Sequence, residues 1–397
     1  MREERLYLIL TLLVSGLLLA YGTQTLSISY DEAEILFEQT TVAHYLAYYS
    51  TQLLGKSDFT LRLPFILFHL GSIVLLYKIG KLFLKKHVDR VLSVAIYAFL
   101  PGVNSVALFV NNSVVVMFIT LLFTYLYLKG YKIASHVVLI ASLFIDNSFA
   151  ILYIALFVYA FANRKIDVLV LTFILFGASM YLYGFDTGGK PKGYFMDTLG
   201  VYAAIFSPLL FLYFIYAMYR ILIKEEKNIL WYISFFSLIV SLVLSLRQKL
   251  YLEDFAPFVV LSIPLMIKVF FNSYRVRLPM FRKLHTFFFG LVIVSLLSIT
   301  AISYVHQPLY RLMEEPSKHF AIKYHIAKEL AQALKDKGIT KVMLKDDKMA
   351  LRLKFYDIES GGAYKLSSFK EVDGGYETIT ISYFGVNVKT FYLYTIG

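Results

Sequence analysis

The feature that most constrains this chain is the series of apolar runs that fills its first 305 residues. If apolar stretches of roughly 17 to 25 residues are candidate membrane spans, and shorter runs pair around polar hinges, the sequence contains about eleven. The runs cover residues 6–22, 63–80, 91–110, 114–128, 133–145, 149–162, 168–184, 199–223, 229–246, 255–271 and 287–305. Because 58% of all residues are hydrophobic, we predict an α-helical polytopic membrane protein.

The first apolar run could be mistaken for a secretory signal peptide. No small-residue cleavage site of the A-x-A kind follows it, and ten further runs do. We therefore interpret it as a retained membrane anchor. The chain has no cysteine, which excludes disulfide bonds and thiolate chemistry.

The basic residues are distributed unequally between the two sides of the membrane. With a cytoplasmic N-terminus, seventeen lie in inner segments: Arg2, Arg5, Lys81, Lys85, Lys86, Arg90, Lys129, Lys132, Arg164, Lys165, Arg220, Lys224, Lys227, Arg275, Arg277, Arg282 and Lys283. Six lie in outer loops: Lys56, Arg62, Lys190, Lys192, Arg247 and Lys249. The positive-inside rule favours this orientation. Most of the net charge of +12 therefore serves to orient the chain in the membrane, and it does not indicate nucleic-acid binding.

The tail from His306 onward differs in composition and is predicted to lie outside the membrane. Residues 323–337 and 348–356 are predicted helices, and residues 340–344, 378–382 and 388–394 are predicted strands. We therefore predict a membrane domain over residues 1–305 and a small extracytoplasmic α/β domain over residues 306–397. The tail contains no Cys/His metal spacing, P-loop or nucleophile elbow.

The first outer loop, residues 23–62, carries two adjacent acids, Asp31 and Glu32, next to a membrane surface. Residues 31–54 are predicted to form one or two amphipathic helices in the membrane interface. Carboxylates beside the lipid surface are costly and often functional. The alternative is structural, because acids in a first helical turn favour the helix dipole and Ser29 or Asp31 can cap the helix.

Several segments carry a family resemblance. They are Tyr30-Asp-Glu-Ala-Glu34, Tyr45-Leu-Ala-Tyr-Tyr49, Arg62-Leu-Pro64, the Tyr-x-x-Gly-Lys pattern at Tyr77–Lys81, Arg247-Gln-Lys-Leu-Tyr251 with Pro257, and Leu351-Arg-Leu-Lys-Phe-Tyr356. In this order they resemble the GT-C superfamily. Within it, they are most similar to the family of the aminoarabinose transferase of lipid A and the protein O-mannosyltransferases, glycosyltransferase family 39. The resemblance covers most of the chain.

This resemblance implies transfer of a sugar from a polyprenyl-phosphate donor to a lipid, glycan or protein acceptor at the outer face of a cell inner membrane. Relatives have an aspartate of the first outer loop near the reacting centre, and Asp31 matches that position. Asp31 would act as general base in an inverting displacement, and Glu32 would help to place the substrates.

The leaving phosphate needs cationic or hydrogen-bonding stabilisation. Arg247, Lys249 and Tyr251 are candidates, because they match the basic-tyrosine loop of the relatives. The alternative to phosphate binding is that the long side chains of Arg247 and Lys249 only extend to the membrane–water interface to keep their charges hydrated. Lys190 and Lys192, in a glycine-rich loop, form a second candidate phosphate contact, for which a solvated or headgroup-facing loop is the alternative.

Further candidate substrate-positioning residues are His44, Asn111, Asn112 and Asp146. Many relatives have an aspartate where this chain has Asn111 and Asn112, and Asp146 lies where they often have Lys-Gly. An amide can orient a sugar but cannot act as a base or bind a divalent ion strongly. Without cysteine or clustered histidine, the sequence predicts no tight transition-metal site and no certain cofactor. A weakly bound divalent cation is compatible with it.

Two other functions are compatible with the sequence. A transporter or flippase of a lipid-linked or anionic solute would also need polar groups in the membrane, but it predicts an internal repeat that this sequence does not show. A catalytically degenerate relative, acting as a binding or assembly subunit, would account for the short first loop and for Asn111 and Asn112. Turnover of a labelled polyprenyl-phosphate sugar in membranes distinguishes such a degenerate relative from an enzyme.

Overall fold

A computed structural model describes residues 2–184, 193–370 and 376–395 of the chain, and α-helices predominate in it. The helices are α1 (Arg2–Thr25), α2 (Tyr30–Phe37), α3 (Val42–Leu54), α4 (Asp58–Phe83), α5 (His87–Ala98), α6 (Pro101–Leu108), α7 (Asn112–Leu128), α8 (Lys132–Ser142), α9 (Phe149–Ala162), α10 (Ile166–Tyr183), α11 (Phe195–Phe206), α12 (Pro208–Lys224), α13 (Ile229–Ser245), α14 (Ala256–Val259), α15 (Ile263–Val276), α16 (Pro279–Tyr304), α17 (Ala327–Asp336) and α18 (Asp347–Phe355). The strands are β1 (Lys341–Leu344), β2 (Glu359–Ser367), β3 (Tyr376–Tyr383) and β4 (Val386–Thr395). The predicted fold class, a helical membrane protein with a small C-terminal α/β part, is confirmed.

Several helices are long and apolar enough to cross a membrane. Within the described residues there are five: α1, α4, α10, the helical segment Leu252–Val276, and α16. The pairs α5/α6 and α11/α12 raise the number to seven if each bent pair is one span, and α7, α8, α9 and α13 are shorter apolar helices. Each of the eleven predicted runs coincides with one of these helices or helix pairs.

The two bent pairs are broken beside proline. The axes of α5 and α6 differ by 54°, and Pro101 is the first residue of α6. The axes of α11 and α12 differ by 104°, and Pro208 opens α12 after Ser207, whose φ is 78°. Proline donates no backbone hydrogen bond to the preceding turn, so it begins a helix well and interrupts one readily.

By their contacts, the described residues fall into two compact units. The helical unit contains Met1–Leu19 and Phe65–Thr300, and the mixed unit contains Ala20–Pro64 and Ala301–Gly397. The contacts thus group residues 23–62 with the C-terminal residues, whereas the sequence-based division at residue 305 assigned residues 23–62 to the membrane domain.

The mixed unit is built on a four-stranded sheet with the order β1-β2-β4-β3. β1 pairs parallel with β2, and the other two pairs are antiparallel. Strand β2 was not predicted. It contains Gly361 and Gly362, and a register shift follows Val342 in its partner. A Cβ atom at position 362 would lie 3.0 Å from both the Cβ and the carbonyl oxygen of Lys341, which is too close for a larger residue. The φ angle of Gly362, +89°, also favours glycine.

Helix α17 packs its apolar face into the core of the mixed unit. Ala327, Leu330, Ala331 and Leu334 are buried at i, i+3, i+4 and i+7, the spacing of one helix face. Burying a leucine side chain contributes roughly 1.5–3 kcal/mol. The helix begins four residues later than predicted, because residues 322–324 form a 3₁₀ turn instead.

Three histidines are buried together in the mixed unit. The rings of His306 and His325 stack with their centroids 4.9 Å apart, and His319 stacks on Tyr310 at 4.2 Å. The hydroxyl of Tyr310 is hydrogen-bonded to Nδ1 of His325 at 2.7 Å. Burial lowers the pKa of all three histidines, and that of His325 to about 3.

We expect the stability of the mixed unit to fall as the pH is lowered from 7.5 to 5. An unfolded histidine binds a proton near pH 6.5, whereas the buried ones resist protonation, so below that pH the unfolded chain takes up more protons. At pH 5, His325 alone would lower the free energy of unfolding by about 2 kcal/mol. Thermal unfolding across this pH range measures the effect.

The matched variants are His325→Gln and His87→Gln, since His87 is exposed. The first should weaken the pH dependence and the second should leave it unchanged. A wild-type slope in His325→Gln would contradict the assignment.

Candidate active site

The acidic pair lies at the start of helix α2, where local sequence dictates the geometry. Ser29 is the N-cap residue, and its Oγ accepts a hydrogen bond from the backbone N–H of Glu32 at 3.2 Å. The Glu32 carboxylate accepts from the backbone N–H of Ser29 at 2.9 Å. This reciprocal arrangement is the capping box expected of a Ser-x-x-Glu sequence. It fixes where the helix begins and on which side each acid lies.

Glu32 forms a buried ion pair with Arg62 of helix α4. Nε and Nη2 of Arg62 donate to the two carboxylate oxygens of Glu32, both at 2.8 Å. The side chains are 0% and 2% exposed. Two parallel charge-assisted hydrogen bonds of this kind are stronger than neutral ones and have a fixed geometry. Glu32 is therefore held rigidly.

The remaining donors of Arg62 bind the turn that precedes α2. Nη1 donates to the carbonyl of Leu26 at 3.0 Å, and Nη2 donates to the carbonyl of Ser27 at 3.1 Å. From the other side, Arg352 of helix α18 donates to the carbonyl of Ile28 at 2.7 Å. Two buried guanidinium groups thus hold the turn that carries the acidic pair.

Tyr356 extends this network toward the start of helix α4. Its hydroxyl donates to Asp58 at 2.6 Å and accepts from the backbone N–H of Ile28 at 3.0 Å. Lys328 lies 3.1 Å from the other carboxylate oxygen of Asp58. Burial and the neighbouring Asp58 raise the pKa of Tyr356, so the hydroxyl stays protonated and donates.

Asp31, one residue before Glu32, has the opposite environment. Its side chain is 70% exposed, and its closest ion-pair partner is Nζ of Lys323, 3.9 Å away. Tyr30, on its other side, donates its hydroxyl to Glu34 at 3.1 Å, which raises the pKa of Tyr30. Asp31 is thus a solvent-accessible carboxylate on a firmly held helix start.

His44 belongs to the packing of helices α2 and α3. Its Nδ1–H donates to the carbonyl of Ile35 at 3.1 Å, and its ring stacks on Tyr48 with centroids 5.8 Å apart. Its backbone N–H donates to Thr41, the N-cap residue of α3. These contacts join the end of α2 to the start of α3.

A second polar cluster lies in the helical unit. Asn112 donates from Nδ2 to a carboxylate oxygen of Asp146 at 2.9 Å, and the other oxygen accepts from the backbone N–H of Ser148. Asn111 caps helix α7 and donates its side-chain amide to Glu253. The structure therefore brings three of the predicted positioning residues together and adds Glu253.

The candidate phosphate-binding residues follow helix α13. Arg247, Lys249 and Tyr251 all have exposed side chains, with Tyr251 81% exposed. Within the described ranges, neither basic side chain is in an ion pair. They are thus accessible to an anionic ligand. Lys190 and Lys192 lie outside the described residues.

Sequence reasoning missed several residues of these clusters. The sequence indicated Arg62 only as a basic residue of an outer loop and as part of the family resemblance, and the roles of Arg352, Tyr356, Asp58 and Glu253 were not foreseen. The available signal was Arg62 itself, since a guanidinium at the head of an apolar helix requires a partner. In the part of the chain that the structure describes, no group of three or more His, Asp or Glu side chains could hold a metal ion.

Comparisons with known proteins agree with the resemblance seen in the sequence. Residues 38–185 match the model of the dolichyl-phosphate-mannose-protein mannosyltransferase family. Among curated proteins, no sequence matches significantly.

Two crystal structures of ArnT from Cupriavidus metallidurans are similar to this structure. The apo form has a TM-score of 0.55 and the form bound to undecaprenyl phosphate a TM-score of 0.54. Each is 12% identical in sequence, and each match covers 88% of this chain and 84% of that chain. The likeness shows a common fold over nearly the full length.

We expect Glu32→Gln to destabilise the mixed unit strongly. The amide leaves the buried Arg62 charge uncompensated, and removing one partner of such a pair costs about 3–5 kcal/mol. Glu34→Gln, which changes a half-buried acid of the same helix, should cost less than about 1 kcal/mol. Thermal unfolding of both variants in detergent tests this, and equal melting temperatures would contradict it.

Proposed function

We propose that the chain is a membrane glycosyltransferase of the GT-C superfamily and that it transfers a sugar from a polyprenyl-phosphate donor to an acceptor at the outer face of the membrane. The family-model match over residues 38–185 and the fold shared with ArnT support this. The matching family model is named for dolichyl-phosphate-mannose, and one similar crystal structure holds undecaprenyl phosphate. Both molecules contain a phosphate esterified to a polyprenyl chain. This shared chemistry supports the donor class.

The observation that carries the proposal is the divergent environment of Asp31 and Glu32. Glu32 is neutralised in a buried ion pair, whereas Asp31 is exposed on the same rigid turn. A general base must reach a substrate and must be held in position. Asp31 meets both requirements, so we assign it as the general base and Glu32 as the residue that positions it.

In the proposed reaction, the oxygen of an acceptor hydroxyl attacks the anomeric carbon of the donor sugar. The bond from that carbon to the phosphate oxygen breaks, and polyprenyl phosphate leaves with the electron pair. Asp31 accepts the hydroxyl proton as the new glycosidic bond forms. A carboxylate is a weak base for an alcohol, so the proton moves late, as positive charge develops on the attacking oxygen. Attack from the face opposite the phosphate inverts the anomeric configuration.

The leaving phosphate carries the charge that requires stabilisation. Arg247 and Lys249 would supply it, with a hydrogen bond from Tyr251, because fixed cations near a developing anion lower the barrier. Lys190 and Lys192 are the second candidate phosphate contact. We assign acceptor or sugar positioning to the amides of Asn111 and Asn112, to Asp146, and to His44.

The proposed membrane is the cell inner membrane, with the N-terminus in the cytoplasm and the C-terminal residues outside. The excess of basic residues in the predicted inner segments supports this orientation.

We expect Asp31→Asn to lower the transfer rate by about 10²- to 10⁴-fold, the usual contribution of a general base. The amide keeps the size of the side chain but cannot accept the proton. The measurement is release of undecaprenyl phosphate from undecaprenyl-phosphate mannose, and separately from undecaprenyl-phosphate aminoarabinose, in membranes that contain the protein.

Glu38→Gln, at the exposed end of the same helix, is the matched control and should keep full activity. The melting temperature of Asp31→Asn should equal that of the wild type. Transfer at the wild-type rate by Asp31→Asn would refute the assignment.

We expect the double variant Arg247→Gln/Lys249→Gln to bind undecaprenyl phosphate at least about tenfold more weakly, because hydrogen bonds to charged groups contribute about 1.5–3 kcal/mol each. Binding of undecaprenyl phosphate to the purified protein measures this. Lys224→Gln/Lys227→Gln removes the same charge from a predicted inner segment and should not change the affinity. Equal affinities in the two double variants would contradict the assignment.

A further inference from the structure

Three helices of the helical unit enclose an apolar slot with a volume of about 240 Å³. Each helix contributes one stripe of residues at helical spacing. The stripes are Leu210, Tyr213 and Tyr216 of α12, then Ile263, Met266, Ile267 and Phe270 of α15, then His285, Phe288, Phe289 and Val292 of α16. Ile96 of α5 and Arg277 complete the lining. None of these residues has a role in the proposed transfer.

The slot runs parallel to the helices. Phe270 in the middle of α15 stacks on His285 in the second turn of α16, with ring centroids 4.7 Å apart. The lining residues extend from Ile263 to Phe270 on α15 and from His285 to Val292 on α16. Each span is seven residue steps, or roughly 10 Å at 1.5 Å per residue. The hydroxyl of Tyr213 donates to the carbonyl of Met266 at 3.2 Å and fixes α12 against α15. The shape suits an extended hydrocarbon chain.

One end of the slot is basic. Arg277 and His285 line it there, and Arg220, one helical turn beyond Tyr216, donates to the Tyr216 hydroxyl at 3.2 Å. Nε of Arg220 and Nε2 of His285 are buried and have no hydrogen-bond partner in the described part of the chain. Buried polar groups are nearly always satisfied, so a ligand with an acceptor atom at this end would satisfy Nε of Arg220.

The slot lies beside a helix that faces the membrane. Only 11% of the most apolar 18-residue stretch of α16 is buried inside the protein. Phe287, Leu291 and Val294 of this helix expose 46–64% of their surface. The basic end carries Arg277, which the positive-inside rule assigns to the cytoplasmic side. In that orientation the slot would open to lipid of the inner leaflet.

We propose that the slot binds one acyl chain of an anionic phospholipid of the cytoplasmic leaflet, with the lipid phosphate at Arg277 and His285. The apolar stripes match the hydrocarbon and the basic end matches the phosphate. Basic pockets between membrane helices bind anionic headgroups in this way. The ligand differs from the proposed donor, whose phosphate is assigned to Arg247 and Lys249 in a predicted outer loop, so the two proposals fail independently.

The test uses the purified full-length chain in detergent, incubated with equal amounts of phosphatidylglycerol and phosphatidylcholine. Native mass spectrometry counts the lipid that each protein molecule retains. We expect preferential retention of phosphatidylglycerol, reduced about tenfold in Arg277→Gln, since one charge-assisted phosphate contact is lost. Arg164→Gln removes an exposed arginine of another inner segment and should retain as much as the wild type.

A second variant tests the slot without changing a charge. Val292→Trp places an indole among the apolar stripes and should abolish retention of phosphatidylglycerol while the melting temperature stays within a few degrees of the wild type. Equal retention of the two lipids, or undiminished retention in both Arg277→Gln and Val292→Trp, overturns the proposal. Displacement of phosphatidylglycerol by an equal concentration of undecaprenyl phosphate also overturns it, because the slot would then bind a polyprenyl lipid.

Discussion

The geometry of the candidate active site depends on the burial of Arg62. A guanidinium with no solvent exposure is tolerated only if its donors find acceptors, since the desolvation of an unpaired charge is prohibitive. Glu32 supplies the compensating charge and the backbone of the preceding turn supplies carbonyls. The turn cannot move without leaving a buried charge uncompensated. Asp31 is therefore held in place through its neighbour, although its own side chain remains exposed. Rigid support combined with exposure is what a general base needs.

Most of the helical fold could be predicted because hydrophobic periodicity is a local signal. The apolar runs identified the helices, and prolines at 101 and 208 explain where two runs are broken. Strand β2 could not be predicted in the same way, because Glu359-Ser-Gly-Gly-Ala has low β-propensity and pairs only through tertiary contacts. The association of residues 23–62 with the C-terminal residues also depends on contacts between residues about 300 positions apart, such as Arg352 with Ile28. No local pattern encodes such a contact.

The candidate site shows the same division between local and distant information. The capping box at Ser29 follows from four consecutive residues, so the sequence could suggest it as the structural alternative for the acidic pair. Both accounts of that pair now apply, each to a different residue: the structural one describes Glu32, and the functional one remains the proposal for Asp31. What the sequence could not provide was the reason for the difference, which is an arginine thirty residues away.

The amides at positions 111 and 112 have a physical explanation within the helical unit. Asn112 donates to Asp146, and Asn111 donates to Glu253, which lies at the start of the segment that leads into α15. An aspartate at either position would put two carboxylates within hydrogen-bonding distance, and like charges at that separation cannot both stay ionised without cost. An amide of the same size donates a hydrogen bond instead and removes the repulsion. Each asparagine therefore matches the acid that it contacts, Asp146 for Asn112 and Glu253 for Asn111, and each pair carries one negative charge instead of two.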